Sequence, residues 1–169
     1  MYMGSKYKRD RGGGVRQRFA DSVQSVINEF NISKTSSIPV FASLDIRHVS
    51  EDETVVDVPF REIAGSQIWI ANQTRPNIAN AIQAIARFSH DAKEVHYKAA
   101  RKILDYLNNT AHLGLTFSRR GRGDYNGLET YIDTEYAHKA EDRLSVSGVA
   151  VCCGSLVSWF SRTITPWIT

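Results

Sequence analysis

Asp133 has the setting that points most directly at chemistry. It ends a strand-like run, Leu128 to Ile132, and Glu135 follows two positions later. A carboxylate presented from a strand is how metal-dependent nucleases hold Mg2+ between protein and scissile phosphate, but such a site needs several carboxylates converging, usually on two metals. By spacing alone Asp133 is an ordinary strand-end residue. No serine sits in a G-x-S-x-G elbow. The five histidines, His48, His90, His96, His112 and His138, show no i, i+4 pairing and read as surface or half-buried side chains, not metal ligands. Cys152 and Cys153 are adjacent, which excludes a disulfide framework and a C-x-x-C zinc site. They fall in a strand-like stretch, where buried packing is the better reading. Gly12-Gly13-Gly14 lacks the Lys-Ser/Thr pair of a phosphate loop and reads as a turn.

Basic residues offer a second kind of chemistry. The net charge of the 169-residue chain is only +3, yet it is unevenly placed. Lys6, Lys8, Arg9, Arg11, Arg16 and Arg18 crowd the N-terminus against a single Asp10, and Arg119, Arg120 and Arg122 cluster in a Gly-rich stretch. Asp45, Glu51, Asp52, Glu53, Asp57 and Glu62 run the other way. Clustered cations can neutralise phosphates and give salt-sensitive nucleic-acid binding; the plainer reading is solubilising charge on mobile segments. A hydrophobic fraction of 42% and a charged fraction of 23% belong to a globular chain. Nothing approaches the run of about 18 apolar residues that spans a membrane. The basic N-terminus lacks a secretory apolar region, so the expected setting is intracellular, cytoplasmic or nuclear, with no membrane partner.

The elements that would position these groups follow from periodicity. Val23, Val26, Ile27 and Phe30 form one helical stripe, with Asp21 placed to cap it. Arg11-Gly12-Gly13-Gly14 is a tight turn suited to joining two short strands. Residues 33–57 read as an extended connector, and Ile38-Pro39 argues against helix there. Three helices follow. One starts at Pro59, with Phe60, Ile63, Ala64, Ile68 and Ala71 on its apolar face. The next is signalled by Thr74-Arg75-Pro76-Asn77 and carries Ile78, Ala81, Ile82, Ile85 and Ala86. The last, from about Ala92 to Asn109, puts His96, Ala100, Ile103 and Leu107 on one side, beside Ala99 and Leu104. The period then shortens to two: Leu113, Leu115 and Phe117, and then Leu128, Thr130 and Ile132, read as strands. Gly154-Ser155 marks a two-residue hairpin between 149–153 and 156–160, and no element is expected from Ser161 to Thr169.

The order of motifs resembles copia-type retrotransposon Pol polyproteins over nearly all of residues 2–163. Val58-Pro59-Phe60-Arg61-Glu62, Ala64-Gly65-Ser66, Thr74-Arg75-Pro76-Asn77-Ile78-Ala79 and Ile103-Leu104-Asp105-Tyr106-Leu107 are similar to the segment behind the reverse transcriptase palm. Tyr131-Ile132-Asp133-Thr134-Glu135-Tyr136-Ala137, Ser145-Val146-Ser147-Gly148 and Ser158-Trp159-Phe160-Ser161-Arg162 resemble the opening of that family's ribonuclease H domain.

The resemblance implies an α+β chain: a small helical bundle followed by a truncated ribonuclease H-like antiparallel three-stranded sheet. Residues 1–57 would be a palm-to-thumb remnant and connector, 58–111 a three-helix connection, 112–163 the first ribonuclease H strands and 164–169 an unrelated tail. It places the polymerase aspartates upstream of Met1 and makes Asp133 the first of four ribonuclease H carboxylates, a vestigial catalytic and Mg2+-binding position. The second, a Glu, would fall beyond Thr169, where Ile164 to Thr169 departs from the family's pattern as a frameshift or early stop would make it do. Asn77 stands where that pattern has Asp. The chain is therefore expected not to be an enzyme and to hold no cofactor, whereas the intact family domain uses Mg2+. Lys6, Lys8, Arg9, Lys98, Arg101, Lys102, Arg119, Arg120 and Arg122 become candidates for weak contact with an RNA–DNA hybrid. A short sheet with a bare apolar face is marginal alone, so it is expected to need the helices or a protein partner to cover it.

Overall fold

In the computed structural model of the chain the described residues are 5–9, 11–39, 57–118, 127–135 and 145–164. They form an α+β structure in two compact units, residues 1–6 with 18–114 and residues 7–17 with 115–169.

The helical unit is built on four amphipathic helices: α1 (Ala20–Glu29), α2 (Phe60–Thr74), α3 (Ala79–Ala86) and α4 (Glu94–Asn109). Pro76–Ile78 makes a short 3-10 turn into α3, with Pro76 placed where its missing N–H costs nothing. Val23, Val26 and Ile27 of α1 are buried, as the stripe requires. Asp21 is not the cap: it lies in the first turn, near the positive end of the dipole, and pairs with Lys6. The other end of α1 closes on Asn31, in the left-handed region at φ 51°. The amides of Asn31 and Ile32 reach back to the carbonyls of Asn28 and Ile27 (3.2 and 2.9 Å), and Ile32 is buried beside them. This is a Schellman closure, with Asn where Gly is commoner.

Helix α2 buries a stripe rotated from the expected one: Phe60, Ile63, Ala64, Gln67, Ile70, Ala71 and Thr74, with Ile68 only half-buried. Spacings of three, four and seven place Gln67 at the centre of that face despite its amide. Its Nε2 donates to the Ala100 carbonyl at 2.7 Å and ties α2 to α4, while its Oε1 and Thr74 Oγ1 have no partner among the described residues. Helix α4 buries His96, Ala99, Ala100, Ile103, Leu104 and Leu107, the six residues its periodicity selects. All four helices share one core. Large side chains in it contribute about 1.5–3 kcal/mol each by leaving water. The connector has neither helix nor strand at 33–39 and is pinned along α4. Ser36 N–H donates to the Asp105 carbonyl (3.1 Å), and Asn108 and Asn109 donate to the carbonyls of Lys34 and Ser36 (3.0 and 3.1 Å).

The remaining strands make two sheets. In the first, β1 (Lys6–Arg9), β2 (Val15–Arg18) and β3 (Gly114–Phe117) lie in that order, and Gly13 at φ 81° supplies the left-handed residue of the turn between β1 and β2. The second is an antiparallel meander of β4 (Glu129–Glu135), β5 (Ser145–Cys152) and β6 (Leu156–Ile164). Two expectations are corrected here. The connection between β5 and β6 holds three residues, Cys153–Ser155, with Gly154 at φ 65° and a register irregularity at Val151/Cys152. Strand β6 also continues through Ser161–Ile164, because Gly148, Ser147, Val146 and Ser145 of β5 remain available as partners. Ladder hydrogen bonds sustain a strand after its apolar alternation has ended. No helix among the described residues is long and apolar enough to cross a membrane.

Candidate functional site

Asp133 lies in β4 opposite Gly148 of β5, with its side chain exposed. Alternation puts it on the same sheet face as Tyr131 and Glu129. The Glu129 carboxylate accepts from the Tyr131 hydroxyl at 3.1 Å. Glu129 is four residues from Asp133, about 13 Å along an extended strand, too far for both to hold one ion. Among the described residues no group of three or more His, Cys, Asp or Glu could hold a metal.

The candidate cations separate by their surroundings. Lys8 and Arg9 are exposed on β1, and Arg16 on β2 donates through Nε to Thr116 Oγ1 at 3.3 Å. Lys6 is engaged with Asp21. On α4, Lys98 pairs with Glu94 at 3.6 Å, and Arg101 donates to the Tyr97 hydroxyl at 3.2 Å with its guanidinium 5.9 Å from the ring centre. Lys102 is half-buried on the same helix. Arg119, Arg120 and Arg122 lie outside the described residues. By sequence the helical unit holds eleven Lys and Arg against eleven Asp and Glu, and the strand-rich unit ten against seven, so the whole net charge of +3 belongs to the latter.

The helical unit holds two buried polar centres, of which periodicity points to one, His96, and not to the other. Arg75 is 1% exposed. Its Nη1 and Nη2 donate to the carbonyl and hydroxyl of Thr110 (2.9 and 2.6 Å), its Nε donates to Asn77 Oδ1 (3.2 Å), and it lies 5.5 Å from the Tyr106 ring centre. Asn77 in turn donates to the Tyr106 hydroxyl at 2.5 Å. The guanidinium thus sits at the carbonyl end of α4, where the helix dipole favours a cation. Burial pushes its pKa below the ordinary value, and Tyr106, by charge and hydrogen bond, opposes that shift. The only sequence signal for this cluster was the Thr74-Arg75-Pro76-Asn77 motif itself.

His96 is the second centre and corrects the surface reading, being 1% exposed. Its ring stacks on Phe88 (3.9 Å between centres), and its Nδ1 accepts the Lys93 amide at 2.9 Å. An imidazole thereby fills the role of the Glu or Gln in a capping box. His90 Nδ1 lies 3.0 Å from Arg61 Nη2, and His112 is exposed; His48 and His138 lie outside the described residues. Of the cysteines, Cys152 is half-buried and Cys153 exposed in the hairpin loop, so neither is the buried packing residue the sequence implied.

Comparison with known proteins finds relatives by sequence. No family model matches the chain, and no solved structure matches it. The secreted RxLR effector protein 161 of Plasmopara viticola is 33% identical over 107 residues, which cover 63% of this chain and 73% of that protein. The putative transposon Ty5-1 protein of Saccharomyces cerevisiae is 25% identical over 142 residues, 83% of this chain and 44% of its own length. The retrovirus-related Pol polyprotein from transposon TNT 1-94 of Nicotiana tabacum is 28% identical over 149 residues, again 83% of this chain but 11% of the polyprotein. Several relatives of the chain are copia-type retrotransposon Pol polyproteins, 25–29% identical to it over most of its length. The chain corresponds to less than half of the yeast relative and to about a tenth of the tobacco polyprotein.

Proposed function

We propose that this chain is the part of a copia-type Pol that joins the reverse transcriptase palm to a ribonuclease H-like domain, that it is catalytically silent by itself, and that it binds nucleic acid weakly and without sequence preference. The observation that carries the reading is the pairing of a 28% identical match to a Pol polyprotein over 83% of this chain with an Asp133 that has no second metal-holding carboxylate near it among the described residues. On this reading 1–57 is palm-to-thumb remnant and connector, 58–111 the connection helices and 112–163 the first ribonuclease H-like strands, in a cytoplasmic or nuclear setting. Mg2+ serves the intact family domain, where further carboxylates would join Asp133.

Binding would run through phosphates, the contact that Lys8 and Arg9 on β1 and Lys98, Arg101 and Lys102 on α4 can make without reading bases. The exposed Lys8 and Arg9 favour β1 as the stronger contributor. A labelled RNA–DNA hybrid tests both halves of the reading. With Mg2+ present it should be bound but left uncut. Affinity should fall roughly tenfold or more between 50 and 200 mM salt if about three phosphates are neutralised. Salt-independent affinity would overturn the binding claim, and cleavage lost in Asp133→Asn would overturn the silence. A second reading, reuse as a protein-interaction module, is favoured by one observation: the Plasmopara relative, named an effector, is matched over 73% of its own length.

A further inference from the structure

We draw no further inference here: the strongest candidate, the solvent-facing apolar row Ile132–Val149–Phe160 across the β4–β6 sheet, carries nothing because no feature of the structure shows what covers it.

Discussion

The helical unit and the β4–β6 sheet solve the same physical problem to different degrees. Eighteen buried apolar residues, from Val23 of α1 to Leu107 of α4, give the helices a closed core. In the sheet the only buried side chain among the described residues is Ser147, whose hydroxyl meets Thr134 Oγ1 at 3.0 Å. Ile132 is 69% exposed and Phe160 44%, although Val149 stands between them in register and joins them into one row. A meander can satisfy its backbone completely and still bury little, because ladder hydrogen bonds add only about 0.5–1.5 kcal/mol net each. Removal of apolar surface from water supplies most of the driving force for folding, and the sheet has little of it.

Substitutions at contrasting depths sharpen this difference. Leu107→Ala opens a cavity among fully buried neighbours and should cost about 2–5 kcal/mol, read as a lower urea midpoint of the helical unit. An unchanged midpoint would mean that the core is looser than its burial indicates. The next effect is a gain. Asn77→Asp sets a carboxylate against Arg75 Nε, and because position 77 is exposed the stabilisation should be about 0.5–1 kcal/mol at neutral pH. The carboxyl would be held below its unfolded pKa of about 3.9, so the gain should be present above that pH and vanish as pH falls through the lower folded value. Thermal melts at pH 7 and pH 3 read it directly. Equal melting temperatures of variant and wild type at pH 7 would show that the α4 terminus already balances the guanidinium. Smallest of all, Ile132→Thr should move stability by less than about 0.5 kcal/mol, since a β-branched residue replaces an exposed one. A loss of more than about 2 kcal/mol, the scale of a core truncation, would reveal that the row is covered in solution.

The sequence made the apolar architecture legible and left the polar architecture largely hidden. Stripes in α1, α3 and α4 were readable because Val, Ile, Leu and Ala mark a buried face without ambiguity. Gln67 is hidden on α2 because an amide at the centre of a face resembles a boundary, and only its bond to Ala100 explains its burial. Arg75 is illegible for the same reason, being buried through Thr110, 35 positions away, whereas periodicity placed His96 on the stripe of α4 and hid only its stacking on Phe88 and its bond to the Lys93 amide. The Schellman turn at Asn31 was legible in principle, since Asn after a helical stripe tolerates positive φ. Asp133 was picked out by strand pattern and by resemblance, but how many carboxylates surround it is a tertiary fact. The similarity to retrotransposon Pol polyproteins was readable because it rests on the order of many short motifs, none of which needs its partner in space.

Amide hydrogen exchange on the monomeric chain tests the central contrast most directly. Slow exchange is expected in α2 and α4, at the limit set by global unfolding, with amides of β4, β5 and β6 exchanging orders of magnitude faster. Protection across 129–164 equal to that of α4 would contradict it and show that the sheet is stabilised by burial its exposed side chains do not reveal.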